Sequence, residues 1–333
     1  MKKYTVAVVG ATGVVGREII STLEQRKFPV GKLVPLASER SLGQYVTFNG
    51  ESIAVQVLTA DSFENVDFAL FSAGGSISEK FVPEAVKHGA VCIDNTSHFR
   101  MHPDVPLVVP EVNAHALKRH QGIIANPNCS TAQMVMVLKP IHDAATIKRV
   151  VVSTYQSVSG AGKEAMSELE QQSRVNLAGS SAEPEVFKKS ISFNLIPQID
   201  SFTENGYTKE ELKMINETQK ILEDSSIKVT ATCVRVPVFV GHSESINIQT
   251  ERKITADEVR DLLSKFPNVE VMDDPANGVY PTPKEIAGTD PTYVGRIRED
   301  LSIENGIELW CVADNLRKGA ALNAVQIAEA LIA

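Results

Sequence analysis

The chain has 333 residues, of which 43% are hydrophobic and 22% are charged. This length suits two domains, and the composition is typical of a globular protein. The net charge of −8 argues against nucleic acid as the main partner, because proteins that neutralise phosphates are usually basic. No apolar run approaches the roughly 20 residues that span a bilayer. The opening "MKKYTVAVVGATG" is predicted to be a strand and not a signal peptide, because its apolar run stops at glycines. We therefore expect a cytoplasmic protein with no membrane partner.

A glycine-rich turn follows the first predicted strand, "YTVAVVG". Gly10, Gly13 and Gly16 are spaced three apart, and the apolar residues after them recur with helical spacing. Glycine in a strand-to-helix turn lets backbone N–H groups approach a phosphate, and the helix N-terminus adds the positive end of a dipole. A tight turn without a ligand would have the same pattern. The position between strand and helix favours nucleotide binding.

The end of the second predicted strand bears on which dinucleotide binds. Ser38, Glu39, Arg40 and Ser41 follow the apolar run in "KLVPLASERSLGQ". An acidic residue here usually contacts the ribose 2′-hydroxyl of NAD, and Glu39 is placed for that role. A guanidinium with hydroxyls suits the 2′-phosphate of NADP better. We expect NADP, with a polar surface loop as the alternative.

Alternating strands and helices complete the first domain. The predicted strands are "VDFALFSAGG", "AVCIDNTS", "LVVPEVN" and "GIIANPN", and "SISEKFVPEAVKHG" is a predicted helix. This alternation predicts a Rossmann-type, doubly wound parallel sheet. The Ala-rich stretch "NLRKGAALNAVQIAEALIA" is predicted to be a helix that returns to this domain. We therefore assign residues 1–128 with 315–333 to an NADP-binding domain.

The thiol of Cys129 lies at a predicted strand-to-helix corner in "IIANPNCSTAQMVMVL", where the helix is expected to begin at Ser130 or Thr131. The positive end of a helix dipole lowers the pKa of a thiol and favours the thiolate. The other cysteines, Cys92, Cys233 and Cys311, lie in buried-strand patterns and are expected to be core residues. No C-x-x-C pair is present, so no metal site is expected.

Residues 129–314 are predicted to form an α+β catalytic and dimerisation domain with a mixed sheet, because Val-, Ile- and Thr-rich strands cluster there. Helices are expected at 163–177, 208–223 and 255–265, and loops at 178–190 and 273–291. Within "TYQSVSGAGKEAM", Gln156 stands at a strand end. His242 follows a glycine in "FVGHSES" and is a candidate base.

Three further charged residues of this domain are candidates for the active site. Arg235 interrupts an apolar strand in "CVRVPV", which indicates either an anion ligand or an internal ion pair. Glu210 and Lys213 share a helical face, although by pattern alone a solvated charged helix is the stronger reading. These residues complete an active site only if the fold brings them to Cys129.

Together these motifs resemble those of the aspartate-β-semialdehyde dehydrogenase family. The resemblance rests on "GATGVVG", "NPNCST", "QSVSGAGKEAM", "EELKM" and "CVRVPVFVGHSES", in the family's order, with "DNLRKGAALNAVQIAE" at the C-terminal end. It implies that Cys129 is the nucleophile that carries an acyl-thioester and that His242 is the acid/base catalyst. Gln156 would orient the substrate, Arg235 would bind its α-carboxylate, and Glu210 would hold its α-ammonium.

The resemblance also implies a phosphate site and a cofactor site. Arg100, in "SHFR", and Lys213 would bind inorganic phosphate or the phosphoryl group. The matching NADP-binding positions are Gly10, Thr12, Gly13, Val14, Val15, Ser38, Arg40, Ser41, Ser159, Gly160 and Asn315.

The implied reaction is the NADPH-dependent reduction of L-4-aspartyl phosphate to L-aspartate 4-semialdehyde, or its reverse, in lysine, threonine, methionine and diaminopimelate biosynthesis. The implied assembly is a homodimer or higher homo-oligomer. Two alternatives are an N-acetyl-γ-glutamyl-phosphate reductase and a non-catalytic NADP-binding protein. The substrate of the first alternative has no free ammonium for Glu210 to hold. The second alternative has no need of the thiol, histidine and cations together.

Overall fold

The structure is a computed structural model that describes residues 2–333. The chain divides into two compact units: residues up to Asn128 together with Ala320–Ala333, and Cys129–Gly319. The return to the first unit thus begins at Ala320, later than the expected residue 315. The reason is that two residues of this stretch form hydrogen bonds within the second unit. Asn315 accepts a bond from Gly241 N, and Arg317 donates a bond to Asp290.

The first unit is built on a six-stranded parallel sheet. Its strand order is β5-β2-β1-β6-β7-β8, and every neighbouring pair is parallel. The strands of this unit, including a separate antiparallel hairpin of β3 and β4, are β1 (Tyr4–Val9), β2 (Val30–Ala37), β3 (Tyr45–Phe48), β4 (Glu51–Ala54), β5 (Gln56–Val57), β6 (Phe68–Phe71), β7 (Val91–Asp94) and β8 (Ile123–Ala125).

Helices cover both faces of this sheet. On one face, α1 (Val14–Gln25) and the C-terminal helix (Leu322–Ile332) bury Ile19, Leu23 and Val325 in a common apolar cluster with Val6 and Val8. On the other face, α2 (Gly75–Lys87) contributes to a second cluster. The parallel order and two covered faces are those of the predicted Rossmann-type, doubly wound sheet.

The prediction of a strand over "LVVPEVN" was wrong. Leu107 forms only an isolated bridge to Ala125, and residues Pro110–Asn113 form the short helix α3. Proline fixes its own φ near the helical value and suits the first turn of a helix. The Asn113 side chain then accepts from Val109 N and donates to the Leu107 carbonyl, which satisfies backbone groups that a strand would have paired.

The second unit has a six-stranded mixed sheet of order β10-β9-β11-β14-β13-β12. The pairs β10/β9 and β12/β13 are parallel, and the other neighbours are antiparallel. The strands are β9 (Ile147–Gln156), β10 (Lys228–Arg235), β11 (His242–Thr250), β12 (Val269–Val271), β13 (Thr292–Glu299) and β14 (Gly306–Ala313). This mixed sheet agrees with the predicted class.

The helices of the second unit lie close to the predicted ranges. They are α4 (Cys129–Ala145), α5 (Lys163–Leu177), α6 (Lys209–Leu222), α7 (Ala256–Lys265) and the short α8 (Pro283–Ile286). Capping boxes start α6 at Thr208 and α7 at Thr255. Helix α4 begins one residue earlier than predicted, at Cys129 itself. Helix α8 lies in the 273–291 stretch, which was predicted to be a loop.

Two negative findings apply to residues 2–333. No helix there has the length and apolarity needed to cross a membrane. Those residues also contain no cluster of three or more His, Cys, Asp or Glu side chains that could hold a metal ion.

Candidate active site

Three of the predicted site residues lie at one edge of the mixed sheet. Gln156 ends β9 and Arg235 ends β10, and the two are register partners because these strands are parallel. The neighbouring β11 runs antiparallel to β9, so its first residue, His242, lies at the same edge. The strand order therefore brings together a carboxamide, a guanidinium and an imidazole that are far apart in sequence.

Helix α4 brings Cys129 to this edge. Only Thr146, in the left-handed region with φ 53°, separates α4 from β9, and α4 packs on β9 and β11. The helix and strand therefore run in opposite directions, over about 25 Å and about 33 Å respectively. Cys129, at the start of α4, is half-buried and close enough to Arg235 for their charges to interact. A Cβ on Gly319 would lie 2.7 Å from Cys129 Cβ, so only glycine lets the backbone at residue 319 pack this close to Cys129.

The imidazole of His242 is fully buried. Its Nδ1 accepts a hydrogen bond from the Ser157 backbone N–H at 3.1 Å, and the Ser157 hydroxyl lies 3.1 Å from the same atom. Its Nε2 has no hydrogen-bond partner within the described part of the chain. Burial and the positive charge of Arg235 hold the pKa of His242 well below its usual range. The ring is therefore neutral, with Nε2 available to a ligand.

A network of buried hydrogen bonds around Asn315 holds the residues next to His242. Asn315 Oδ1 accepts hydrogen bonds from Gly241 N at 2.9 Å, Ser157 Oγ at 3.1 Å and Ser159 Oγ at 3.2 Å. The Asn315 amide donates to Ser159 Oγ in return. Ser159 and Asn315 were predicted to contact the cofactor. In this structure their side chains hold the turn that carries His242.

Arg235 is buried and directed toward the same turn. Its Nη1 donates to the Ser157 carbonyl at 2.7 Å. A Cβ on Gly160 would lie 2.9 Å from that nitrogen and 3.3 Å from His242 Nε2. The absence of a side chain at Gly160 therefore keeps open the space beside the guanidinium and the imidazole.

The first turn of α6 supplies the remaining charged groups. Glu210 is buried, and its Oε1 accepts from Gln156 Nε2 at 3.3 Å while its Oε2 accepts from Lys213 Nζ at 3.1 Å. Lys213 also donates to Asp200 Oδ2 at 3.1 Å. Burial disfavours the charged ammonium, but Glu210 and Asp200 outweigh it and raise the pKa of Lys213. Glu210 and Lys213 therefore belong to a network that joins a buried carboxylate, a half-buried ammonium and an exposed carboxylate, which the solvated-helix reading did not anticipate.

The first unit carries the glycine-rich turn. Gly10 has φ 88°, and a Cβ on Gly16 would lie 2.1 Å from the Gly10 carbonyl oxygen, so only glycine allows α1 to start this close to β1. Gly13 is the N-cap residue of α1 and has no side-chain cap. Thr12, Val14 and Val15 flank it and are half-buried. The open N–H groups of this helix start fit the phosphates of a dinucleotide.

The segment after β2 lies beside this turn. The N–H groups of Gly10 and Ala11 both donate to the Leu36 carbonyl at the end of β2. Thr12 Oγ1 lies 3.0 Å from Ser41 Oγ. Ser38 and Arg40 are exposed. The structure therefore brings the two predicted cofactor segments of this unit together, with a guanidinium at their rim.

Arg100 lies at the carboxyl edge of the parallel sheet. Its guanidinium donates to the Asn126 carbonyl at 2.9 Å and to the Asn95 carbonyl at 2.7 Å. These residues follow β8 and β7, so the side chain is held by the loops that leave the sheet. Parallel α/β sheets bind ligands at this edge.

Sequence reasoning missed three residues that shape the second unit's site: Ser157, Asp200 and Gly319. Ser157 stood within the quoted "QSVSG" segment, directly after Gln156, but a serine at a strand end has many ordinary uses. Asp200 lies 13 residues before Lys213, outside any helical spacing. Gly319 gave no signal beyond its place in "NLRKGAA".

Comparisons with known proteins agree with this architecture. Residues 5–120 match the family model for the semialdehyde dehydrogenase NAD binding domain, and residues 138–318 match that for the semialdehyde dehydrogenase dimerisation domain. The aspartate-semialdehyde dehydrogenase of Aquifex aeolicus (strain VF5) is 55% identical, over 99% of this chain and 98% of that protein.

Two solved structures have the same fold. Aspartate semialdehyde dehydrogenase II from Vibrio cholerae, complexed with ASA, has a TM-score of 0.96 and 50% identity, over 100% of this chain and 99% of that chain. The enzyme from Candida albicans, solved with NADP, has a TM-score of 0.78 and 25% identity over 100% and 99% of the two chains. With its two family domains in order and a relative more than half identical along nearly its whole length, the chain belongs to the aspartate-semialdehyde dehydrogenase family.

Proposed function

We propose that the protein catalyses the NADP-dependent reductive dephosphorylation of L-4-aspartyl phosphate to L-aspartate 4-semialdehyde, and the reverse phosphorylating oxidation, in lysine, threonine and methionine biosynthesis. The observation that carries this proposal is the set of Cys129, Gln156, Arg235 and His242 at one edge of the mixed sheet. A thiol, an imidazole, a carboxamide and an anion ligand are the groups that thioester chemistry on a small amino acid needs.

The substrate is held by its two charged groups. Arg235 binds the α-carboxylate with its planar fork, beside the space that Gly160 leaves open. Glu210, buried and fixed by Gln156, accepts from the α-ammonium. Gln156 orients the carbonyl carbon toward Cys129. A free ammonium is thereby required, which disfavours substrates with an acylated amine.

In the oxidative direction, the thiolate of Cys129 adds to the aldehyde carbon and forms a C–S bond. The proton on His242 Nε2 donates a hydrogen bond to the aldehyde oxygen as negative charge develops there. Oxidation of this adduct leaves a thioester on Cys129. A phosphate oxygen then attacks the thioester carbon, the C–S bond breaks, and the thiolate returns with release of the acyl phosphate.

NADP, when bound, supplies or accepts the hydride in this reaction. The residues proposed to hold it include Gly10, Thr12, Gly13 and the first residues of α1 for the phosphates, with Arg40 and Ser41 for the 2′-phosphate. The exposed guanidinium of Arg40 beside the glycine-rich turn supports NADP over NAD. The NADP-bound Candida albicans relative supports the same choice. Ser159, Gly160 and Asn315 are proposed to bound the nicotinamide end.

Phosphate is proposed to bind to two positively charged side chains. Lys213 is the contact in the second unit, and Arg100, in the first unit, is proposed as a further phosphate ligand. Both have the fixed positive charge that a phosphate dianion needs. A bound phosphate distinguishes this reaction from an aldehyde oxidation that ends in hydrolysis.

The protein is also proposed to form a homodimer through the face of the mixed sheet that carries Tyr155 and Trp310. The ring centroids of Tyr155 and Trp310 lie 5.4 Å apart on this face. Together with Ser245, Leu309 and Tyr280 they line a cavity of 460 Å³. The match to a dimerisation domain supports an assembly through this unit.

The test of the function is a rapid-mix experiment with aspartate semialdehyde and NADP. Without phosphate, we expect one burst of NADPH per active site, because the thioester cannot be released. Phosphate should restore continuous turnover, and N-acetylglutamate semialdehyde should give no burst. Continuous turnover without phosphate, or equal rates with both aldehydes, would contradict the proposal.

A further inference from the structure

The ammonium of Lys213 lies between two carboxylates. Its Nζ is 3.1 Å from Glu210 Oε2 and 3.1 Å from Asp200 Oδ2. A lysine ammonium has three N–H donors, and the two carboxylates take two of them. The three side chains together carry a net negative charge. This arrangement is unfavourable for a phosphate dianion unless one of the two carboxylates moves away from Lys213.

The two carboxylates are held very differently. The Glu210 side chain is only 7% exposed and is also bonded to Gln156. The Asp200 side chain is 37% exposed, and exposed ion pairs contribute little stability. Leaving Lys213 would return the Asp200 carboxylate to water at small cost, whereas Glu210 cannot leave without burying an unpaired charge.

The backbone conformation of Asp200 and a hydrogen bond to its side chain nevertheless fix the position of the carboxylate. Its backbone has φ 67°, in the left-handed region that few side chains favour. Its Oδ1 accepts from Ser201 N at 2.7 Å, so Oδ2 remains for Lys213. Burial opposes ionisation, but the Ser201 N–H and the Lys213 ammonium outweigh it and hold the pKa of Asp200 below its usual value. Asp200 is therefore an anion at neutral pH.

Asp200 also belongs to the substrate region. A cavity of 230 Å³ is lined by Asp200, Arg235, Ala161 and Gln198 among others. Asp200 therefore lines the same cavity as Arg235, the residue proposed to bind the substrate carboxylate. A dianion that binds Lys213 Nζ also meets the negative charge of Asp200, because Asp200 Oδ2 lies 3.1 Å from that nitrogen.

We propose that Asp200 is an internal competitor for phosphate: its carboxylate occupies the Lys213 ammonium in the resting protein and must be displaced before phosphate binds there. The inference rests on the proposed phosphate role of Lys213. It assigns to Asp200 control of the phosphate concentration that the reaction needs. The pairing also keeps Lys213 charged and directed at the site while phosphate is absent.

The substitution Asp200→Asn isolates this charge. Asparagine tolerates the left-handed backbone and keeps an oxygen for Ser201 N, so only the negative charge and the acceptor for Lys213 are lost. Because the competing pair is partly exposed, we expect the half-saturating phosphate concentration to fall by roughly threefold or more. The KM for aspartate semialdehyde should stay within about twofold, since Glu210 and Arg235 are untouched.

The control variant is Asp257→Asn on α7. Asp257 forms an exposed ion pair with Arg260, so this change removes the same charge from the protein surface. It should leave the phosphate dependence unaltered. Thermal unfolding of both variants checks that the fold is retained.

The experiment measures the phosphate dependence of turnover in the wild type, Asp200→Asn, Lys213→Ala and the double variant. Lys213→Ala alone should raise the half-saturating phosphate concentration by about tenfold or more. In the Lys213→Ala background, Asp200→Asn should have almost no further effect. A lowered phosphate requirement that depends on Lys213 supports the proposal.

Other outcomes overturn it and can be told apart. An unchanged or increased phosphate requirement in Asp200→Asn, with Lys213→Ala behaving as expected, rejects the role of Asp200 alone. An increased KM for the aldehyde in Asp200→Asn would instead make it an ammonium ligand. If Lys213→Ala leaves the phosphate dependence unchanged, the proposed phosphate role of Lys213 is itself wrong.

Discussion

The backbone N–H of Ser157 donates a hydrogen bond to Nδ1 of His242 across 3.1 Å. Because Nδ1 accepts this bond, the neutral imidazole carries its proton on Nε2, the atom that faces the candidate site. The Ser157 hydroxyl donates to Asn315 Oδ1, and its oxygen lies 3.1 Å from Nδ1. When His242 takes up a second proton, this hydroxyl is the available acceptor for Nδ1–H.

This relationship makes Ser157 a positioning residue for His242. We expect Ser157→Ala to reduce kcat about fivefold, the effect of one hydrogen bond of ~1 kcal/mol. The loss of an acceptor also makes the imidazolium harder to form. The limb of the pH–rate profile that reports His242 should therefore move to lower pH.

Ser159→Ala provides the matched control for that measurement. Ser159 Oγ also bonds to Asn315 but makes no bond to His242. This variant should leave the His242 limb in place. If both variants shift the profile alike, the effect belongs to the whole turn and not to Ser157.

The four thiols should differ sharply in reactivity. Cys92, Cys233 and Cys311 are fully buried, and burial raises the pKa of each thiol far above its usual value. Cys129 is half-buried at the start of α4. One equivalent of a maleimide should label Cys129 in the native protein and abolish turnover, as peptide mapping with an activity assay can check.

Cys129→Ala should remove both the labelling and the turnover while the unfolding temperature stays close to that of the wild type, because a half-buried thiol contributes little to packing. Comparable activity in this variant would exclude a thioester on Cys129. Preferential labelling of any of the other three thiols would contradict the burial argument.

Arg40 should determine the choice between the two nicotinamide dinucleotides. We expect Arg40→Ala to weaken NADP binding about tenfold or more, because a charge-assisted hydrogen bond contributes roughly 1.5–3 kcal/mol. NAD binding should hardly change, since NAD has no 2′-phosphate. Calorimetric titration with each dinucleotide measures both constants. Arg17→Ala, which removes a guanidinium bonded to the Thr12 carbonyl, is the control and should preserve the NADP/NAD ratio.

Glu244 should make stability depend on pH. It is fully buried on β11, its two carboxyl oxygens have no hydrogen-bond partner within the described residues, and burial raises the pKa of this carboxyl well above the usual 4.5. The folded protein therefore binds this proton more tightly than the unfolded chain does. The stability it contributes is fully present below the unfolded pKa and is lost as pH rises from there through the raised folded pKa.

Glu244→Gln removes this titration. Relative to the wild type, the variant should lose less free energy of unfolding as pH rises from about 5 to about 9, measured by denaturant titration. The exposed Glu270→Gln on β12 is the control and should follow the wild type. Parallel curves for Glu244→Gln and the wild type would show that Glu244 does not bind this proton in the folded state.

The sequence by itself determined the local features of this protein. The glycine spacing and strand–helix alternation predicted the parallel sheet, because backbone sterics and side-chain period act over a few residues. The same local rules predicted the ranges of α5, α6 and α7 and the thiol at a helix start. They failed at residues 107–113, where Pro110 and the side chain of Asn113 outweighed an apolar strand pattern.

The tertiary structure alone decided which side chains meet. Gln156, Arg235 and His242 share an edge because β9 is parallel to β10 and antiparallel to β11, and strand order is not encoded in any single stretch. The Ser157–His242 and Asp200–Lys213 hydrogen bonds likewise join residues outside each other's local spacing. Such contacts depend on chain path and register, which the whole core fixes, so sequence could suggest the groups and only the fold could pair them.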